Sequence, residues 1–162
     1  MKVAVVMGSD SDLPVLKPAI DLLHKFGVET EVIVASAHRT PAKVREFVSS
    51  ARERGVGAFI SAAGAAAHLG GVIASYTTLP VIGVPINATA LNGMDALLST
   101  VQMPSGIPVA TMAINGAKNA AIFAIEIFAL SDDNLQQKLS DYRAKMVEEV
   151  EAKAAKVAQA LQ

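Results

Sequence analysis

The sequence predicts an α/β fold with three αβα layers around a central parallel sheet of about five strands. Short apolar runs rich in valine and isoleucine alternate with segments of helical spacing as far as about residue 130. The runs are predominantly apolar and show no regular alternation with polar residues. Alternation of strands with helices is typical of a parallel sheet, and continuously apolar strands indicate that helices cover both of its faces.

Five runs are predicted as strands, at residues 2–7, 30–35, 57–62, 81–85 and 107–112. Each is followed closely by glycine, serine, proline or asparagine, which are residues that commonly end strands. Ligands of open parallel sheets bind beyond the carboxyl ends of the strands. The loops after these runs are therefore the first place to look for a site.

Helices are predicted between the strands. Leu16, Ile20 and Leu23 recur at the i, i+4, i+7 spacing of one helix face, and Gly27 is placed to end that helix. The other helices are expected from Thr40-Pro41 to Gly55, and from about Ala65, Met94 and Ala117. Strands and helices in this order form a flavodoxin-like arrangement.

The segment from residue 134 to residue 162 contains neither glycine nor proline. Its apolar side chains form one stripe, made of Leu135, Leu139, Tyr142, Met146, Val150, Val157 and Leu161. A helix of this length runs about 40 Å, roughly the diameter of a compact domain of this size, so its own domain cannot cover the whole stripe. We expect one domain over 1–162, with a core over about 1–130 and an arm over about 133–162 that packs on a neighbouring subunit. An end that frays in solvent is the alternative.

The composition excludes several classes of function. The formal net charge is −1, whereas binding to nucleic-acid phosphates needs a basic excess. No apolar run reaches the ~18 residues that span a bilayer, and the opening residues are too polar for a secretory signal. Without cysteine there is no disulfide, no thiol nucleophile and no cysteine-based zinc site. We expect a cytoplasmic protein that binds neither nucleic acid nor membrane.

The first candidate loop, Gly8-Ser9-Asp10-Ser11-Asp12, lies between the first strand and a helix that starts near Leu13-Pro14. Serine hydroxyls and the unpaired N–H groups of a helix N-terminus form an anion site suited to phosphate. A carboxylate, in turn, is a good acceptor for ribose hydroxyls. The alternative is that Ser11 or Asp12 merely caps the helix, which would explain one of these residues but not the whole polar run.

The second candidate loop places Ser36, His38 and Arg39 after the second strand. A guanidinium binds phosphate oxygens through paired hydrogen bonds, and an imidazole exchanges protons near neutral pH. A histidine beside an arginine is usually a surface residue. Its position at the carboxyl end of a strand favours a binding or catalytic role, beside the first loop if the first two strands are neighbours.

The third candidate loop runs through residues 62–71 and includes Gly64 and His68. Its side chains are nearly absent, so its backbone can approach a ligand closely. We expect it to close a small apolar cavity with an imidazole at the edge. The equally weighted alternative for His68 is a helix residue with a satisfied hydrogen bond, and His24 is assigned to the solvated face of its helix.

Other chemistries lack their motifs. His38 and His68 have no nearby acidic or thiol side chain to complete a metal site, and the GxSxG, GxGxxG and Walker A patterns are absent. The three loops offer phosphate and ribose ligands, an imidazole and a wall of small residues. We therefore expect no metal and no cofactor, and a substrate that carries its own reactivity.

These loops resemble those of the bacterial-type N5-carboxyaminoimidazole ribonucleotide mutase (PurE) family of purine biosynthesis. GSDSD, SAHRTP and AGAAAHL are similar to its phosphate, histidine-arginine and glycine-rich loops. The likeness continues in order through LPVIGVP, ALNGMDALLS, VQMPSGIPVAT and AKNAA, to about residue 130. The resemblance implies isomerisation of N5-carboxyaminoimidazole ribonucleotide to its 4-carboxy isomer, through carbon dioxide that is released and recaptured inside a closed site.

The resemblance also implies roles for the polar residues. Substrate phosphate would lie on Ser11, Ser36 and Arg39, with Ser9 close by. Asp12 would bind the ribose hydroxyls.

The remaining implied roles concern the chemical step and the assembly. His38 would be the acid/base at the aminoimidazole carbon, and the segment from Gly64 to His68 would line the pocket for the carboxyl group. The family forms octamers with exchanged C-terminal helices, so the resemblance implies an octameric homo-oligomer whose ligand is a small ribonucleotide.

The chain departs from the family pattern at three places. Ala65 stands where the family usually has a second glycine, Gly70-Gly71-Val72 replaces Pro-Gly-Met, and residues 113–119 are two residues shorter than the common form. The first two departures concern the shape of the pocket, and the third concerns a subunit contact.

Two rival functions stay open. The animal-type relative carboxylates aminoimidazole ribonucleotide directly with carbon dioxide, and it usually has lysine at the position of Arg39 and a different loop in place of AAAHL. A non-enzymatic receiver module would need an acceptor aspartate where Ser61-Ala62-Ala63 stands and a lysine near Thr111. A flavin-binding module would need aromatic rings around the cofactor, and the chain has no tryptophan.

Overall fold

The computed structural model describes residues 1–161, so Gln162, the last residue of the predicted arm, lies outside the described residues. The chain divides into two compact units, Met1–Ile125 and Glu126–Gln162. The first unit contains the sheet and the candidate loops.

The first unit is built on five strands in the spatial order β2-β1-β3-β4-β5, and every neighbouring pair is parallel. The strands are β1 (Lys2–Met7), β2 (Glu29–Val34), β3 (Val56–Gly64), β4 (Val81–Ile86) and β5 (Ala110–Thr111). The three central strands are almost entirely buried on both faces, as expected for a sheet between two helical layers. The predicted α/β architecture is confirmed.

The last strand is much shorter than the sequence predicts. A strand was expected over residues 107–112, but only Ala110 and Thr111 pair with β4. Pro108 has no N–H to donate to a β-ladder. Ile107 lies in a turn, in which its N–H donates to the carbonyl of Pro104. The apolar pattern of the sequence does not predict either effect.

Within the described residues 1–161, six α-helices follow the predicted order: α1 (Leu13–Phe26), α2 (Pro41–Ser49), α3 (Leu69–Tyr76), α4 (Met94–Val101), α5 (Ala117–Ala129) and α6 (Asp133–Ala160). Gly27 ends α1 in the left-handed conformation (φ 84°), where its N–H donates to the carbonyls of His24 and Leu23. Glycine takes this conformation without steric cost, so the predicted stop is confirmed.

Two predicted helix boundaries are wrong. α2 ends at Ser49, and Gly55 lies in a later turn with a φ of 80°. The helix expected from Ala65 begins at Leu69, because Ala65 has a φ of 53° and a residue in that conformation cannot continue a right-handed helix. The residues between β3 and α3 therefore form an irregular segment. Gly64, the last residue of β3, and the irregular residues 65–67 that follow it are called the wall segment.

α4 packs very closely on β4 at Gly83. A Cβ atom at Gly83 would lie 2.5 Å from Cγ2 of Thr100 and 3.0 Å from Cγ1 of Val109. Gly83→Ala is expected to lower the free energy of unfolding by about 2 kcal/mol, since overpacking a filled core costs ~1–3 kcal/mol. Urea unfolding measures the change. Gly70→Ala is the control, because a Cβ there would meet Val109 at 3.4 Å; equal losses in the two variants would contradict the prediction.

The second unit contains the end of α5 and the whole of α6. Asp132 caps α6 by accepting a hydrogen bond from the N–H of Leu135 at 3.0 Å, and Arg143 pairs with Glu126 at 2.6 Å. The apolar stripe of α6 changes along its length: Leu135 and Leu139 are buried, whereas Met146, Val150, Val157 and Leu161 are 50–83% exposed. Among residues 1–161, no helix is long and apolar enough to cross a membrane.

Candidate active site

The three candidate loops meet at one edge of the sheet. The ends of three adjacent strands are in register, since Met7 pairs with Val34 on one side and with Ala62 on the other. The N–H of Gly8 donates to the carbonyl of Ala62 at 3.0 Å, and Nη2 of Arg39 donates to the carbonyl of Gly8 at 3.4 Å. The first two strands are neighbours, which is the condition under which the sequence placed the first two loops side by side.

The loops surround a cavity of about 340 Å³, a volume typical of small-ligand sites. Seven predicted site residues line it: Ser9, Ser11, Asp12, Ser36, His38, Arg39 and Gly64. His68 is not among the lining residues but contacts His38. The cavity thus joins hydroxyl, carboxylate, guanidinium and imidazole groups from separate parts of the chain.

The first loop begins with a short 3-10 turn over Asp10–Asp12, which Ser9 caps. Oγ of Ser9 accepts from the N–H of Ser11 at 3.4 Å, and Oδ2 of Asp12 accepts from the N–H of Ser9 at 3.1 Å. A side-chain cap on the helix, the alternative that the sequence left open, is not seen: Asp12 is the N-cap residue of α1 but makes no side-chain capping bond to it. Its carboxylate instead completes the capping box of the preceding 3-10 turn. The hydroxyl of Ser11 donates to Oγ of Ser9 at 2.9 Å, so both hydroxyls lie together at the cavity.

Asp12 is only 4% exposed. Burial raises the pKa of its carboxyl above the ordinary value of 3.8, and hydrogen bonds from the N–H groups of Ser9 and Gly8 oppose this only in part. The folded chain consequently binds the Asp12 proton more tightly than the unfolded chain does. The contribution of this group to stability is present below pH 3.8 and is lost as the pH rises through the folded-state value.

Asp12→Asn removes the free-energy cost of burying a charged carboxylate, and it keeps an oxygen that can accept from the N–H of Ser9. We expect the variant to melt at a higher temperature than the wild type at pH 7, with a smaller difference at pH 3.5. Thermal denaturation at the two pH values measures this. Asp10→Asn is the matched control on the exposed side of the turn. A variant that melts at a lower temperature at pH 7 would refute the argument.

The second loop is held by its own backbone and by Thr40. Oγ of Ser36 accepts from the N–H of Arg39 at 3.2 Å, and Oγ1 of Thr40 accepts from the N–H of Ser36 at 2.9 Å. These bonds fix a turn from which the exposed side chains of His38 and Arg39 project at the cavity. An exposed guanidinium next to the serine loop can bind an anion without first breaking a buried ion pair.

The two histidines of the second and third loops are in direct contact. Nε2 of His38 lies 2.9 Å from Nδ1 of His68, and the rings meet edge to face at 83°. His68 lies at the start of α3, so it is both a helix-terminal residue with a hydrogen bond and a neighbour of the candidate acid/base. One nitrogen of the pair donates to the other, which restrains the orientation of the His38 ring.

The wall segment approaches the loop after β4. A Cβ atom at Gly64 would lie 2.6 Å from Cβ of Ala88, so glycine is required for this close approach. Ala65 has a left-handed φ of 53°, a conformation that costs a residue other than glycine about 1 kcal/mol. Ala88 lines the cavity and was missed by the sequence analysis, because its methyl group gives no chemical signal.

Two further predictions concern histidine and metal. His24 is exposed, and its Nε2 lies 2.8 Å from Oγ1 of Thr30, which confirms its assignment to the solvated face. Across residues 1–161, no group of three or more His, Cys, Asp or Glu side chains is arranged to bind a metal ion.

The chain is similar to proteins whose names refer to aminoimidazole ribonucleotides. The family model described as AIR carboxylase matches residues 2–149. The N5-carboxyaminoimidazole ribonucleotide mutase of Pyrococcus horikoshii is 55% identical over 94% of this chain and 86% of its own length. The crystal structure of Treponema denticola PurE matches with a TM-score of 0.85 and 27% identity, over 96% of this chain and 97% of that chain.

A relative with a different activity in its name matches as well. The chloroplastic phosphoribosylaminoimidazole carboxylase of Vigna aconitifolia is 51% identical over 90% of this chain, which corresponds to 26% of that much longer protein.

Proposed function

Because this chain belongs to the AIR carboxylase family, we propose that it is an isomerase that converts N5-carboxyaminoimidazole ribonucleotide to its 4-carboxy isomer in purine biosynthesis. This is the activity named for its 55% identical relative. One observation supports the proposal above all: the serine loop, the histidine-arginine loop and the wall segment face a single cavity. A sugar phosphate, an acid/base and a small confined molecule each have a place there.

The phosphate of the substrate binds to Ser11, Ser36 and Arg39 in this proposal, with Ser9 close by. Hydroxyls donate single hydrogen bonds, and the guanidinium adds a charge-assisted pair. Asp12 accepts from the ribose hydroxyls through the oxygen that does not cap the turn. This division of roles fits the geometry, since Oδ2 of Asp12 is engaged with the N–H of Ser9.

The chemical step needs no bound metal or cofactor in this proposal. The exocyclic nitrogen of the carbamate takes a proton from His38, its bond to the carboxyl carbon breaks, and carbon dioxide is released. The electron-rich ring carbon then attacks carbon dioxide, and His38 removes the proton from that carbon. Holding carbon dioxide beside the ring is a proximity effect, for which a wall of small side chains is suited.

The direct carboxylase is the second candidate, favoured by the name of the 51% identical plant relative. Arg39 and the AAAHL loop favour the mutase, because the animal-type carboxylase usually differs at both places. Assays of the purified protein with each substrate, without added bicarbonate, separate the two. A mutase forms the 4-carboxy product from the N5-carboxy substrate alone. Product formation only from aminoimidazole ribonucleotide and added bicarbonate would establish the carboxylase instead.

The proposed enzyme is a homo-oligomer, an octamer by its resemblance to the family, in which α6 packs on a neighbouring subunit. The exposed outer part of the stripe supports this, since four of its large apolar side chains, Met146, Val150, Val157 and Leu161, are at least half exposed. Truncation after Leu130 is expected to lower the subunit count, which sedimentation velocity measures. Val150→Asp on the stripe should act in the same direction, whereas Glu149→Ala beside it should not. An unchanged subunit count in the truncated protein would show that the arm does not hold the assembly together.

A further inference from the structure

The wall segment is attached to α4 by one side chain, Ser99. The N–H of Ala67 donates to Oγ of Ser99 at 2.9 Å, and the same oxygen lies 3.3 Å from the carbonyl of Ala65. The hydroxyl proton of Ser99 has a nearer acceptor in the carbonyl of Asp95, at 2.7 Å. Ser99 thus accepts from the wall segment and donates within its own helix.

The Ala67 N–H needs this acceptor. Ala67 is only 2% exposed, so water cannot easily replace a lost hydrogen bond, and a buried N–H without a partner is unfavourable. Ala67 lies between β3 and α3, in the irregular part of the chain where regular ladders do not fix the backbone. Loss of the Ser99 hydroxyl would therefore move the wall segment toward another acceptor.

α4 also supports the opposite side of the cavity. Oγ1 of Thr89 donates to Oδ2 of Asp95 at 2.8 Å, and Thr89 follows Ala88, whose methyl group closely approaches Gly64. Asp95 and Ser99 are four residues apart and so lie on one face of the helix. α4 therefore contacts both small-residue parts of the cavity: the wall segment through Ser99, and the loop of Ala88 through Asp95.

From these contacts we infer that Ser99 is a positioning residue: its hydroxyl, through the N–H of Ala67, holds the wall segment at the distance from Ala88 that retains carbon dioxide beside the ring carbon. The inference rests on the proposed function. Ser99 touches no reacting atom. Its loss leaves both bond changes possible, but carbon dioxide released from the carbamate nitrogen can leave the cavity before the ring carbon attacks it. The products are then aminoimidazole ribonucleotide and free carbon dioxide.

The test is the partition of product in Ser99→Ala. We expect kcat to fall about 10- to 100-fold, the range for a misplacement of roughly 1 Å, while KM stays within about twofold because the phosphate and ribose ligands lie on the other two loops. The diagnostic readout is the ratio of 4-carboxy product to decarboxylated nucleotide, after subtraction of the decay without enzyme. That ratio does not depend on how much of the sample is folded, and we expect it to fall at least severalfold.

Two further variants separate positioning from general loss of stability. Ser99→Thr keeps a hydroxyl and is expected to restore most of the wild-type product ratio. Thr100→Val removes the neighbouring hydroxyl, which donates to the carbonyl of Ala96 within α4 at 2.7 Å and does not reach the wall segment. It should leave the ratio unchanged even if it lowers the melting temperature.

The outcomes are distinct. A wild-type ratio in Ser99→Ala, or an equal fall in Thr100→Val, overturns the role of Ser99 while the proposed function stands. Failure of the wild-type protein to form any 4-carboxy product overturns the proposed function, and the inference about Ser99 with it. If Ser99→Ala does not fold, Ser99→Thr is compared with Ser99→Val, because valine has the shape of threonine but no hydroxyl. Equal ratios in that pair overturn the inference.

Discussion

His38→Asn is expected to lower kcat by about 10²- to 10⁴-fold, the usual contribution of a general acid–base residue. Asparagine keeps a polar group of similar size at the cavity but cannot exchange a proton near neutral pH. The phosphate and ribose ligands are on other side chains, so affinity for the ribonucleotide should change by no more than a few fold. Steady-state kinetics gives kcat, and calorimetric titration with the 4-carboxy product gives the affinity.

The histidine outside the cavity provides the control for this variant. His24 is exposed and contacts Thr30, so His24→Asn is expected to have wild-type kinetics. Near-normal turnover in His38→Asn would show that the proton is removed by another group. His68 would then be the first residue to examine, since its Nδ1 lies 2.9 Å from Nε2 of His38.

The convergence of the loops could be predicted from the sequence because a simple geometric rule governs it. Carboxyl ends of parallel strands share one edge of a sheet, so polar residues after neighbouring apolar runs had to meet there. Met7, Val34 and Ala62 are indeed in register. Most of the chemistry-bearing side chains of the cavity were found in this way, because each is polar and each follows a strand.

The features that the sequence did not predict depend on tertiary contacts of small residues that carry no motif. Ala88 matters because it faces Gly64, and Ser99 matters because it meets a backbone N–H thirty-two positions away. Neither contact leaves a periodic or compositional signal. The helix expected from Ala65 was placed too early for a related reason, since alanine favours helix locally but here has a left-handed φ.

Arg39→Ala is expected to raise KM for the phosphorylated substrate by about 100-fold, with a much smaller change in kcat. Two charge-assisted hydrogen bonds to phosphate are worth roughly 3 kcal/mol together, and each 1.4 kcal/mol corresponds to about tenfold in affinity. Phosphate is remote from the reacting carbon, so the loss falls on binding more than on the chemical step. Initial rates over a range of substrate concentrations give both constants.

Matched variants separate the phosphate contact from the structural role of the same side chain. Arg39 also donates to the carbonyl of Gly8 at 3.4 Å, so its loss could loosen the first loop. Arg39→Lys keeps the charge but loses the paired geometry, and an intermediate KM is expected. Arg45 is an exposed arginine on α2, and Arg45→Ala should leave KM unchanged. A wild-type KM in Arg39→Ala would show that Arg39 does not bind the phosphate. The hydroxyls and N–H groups of the first loop would then be its ligands.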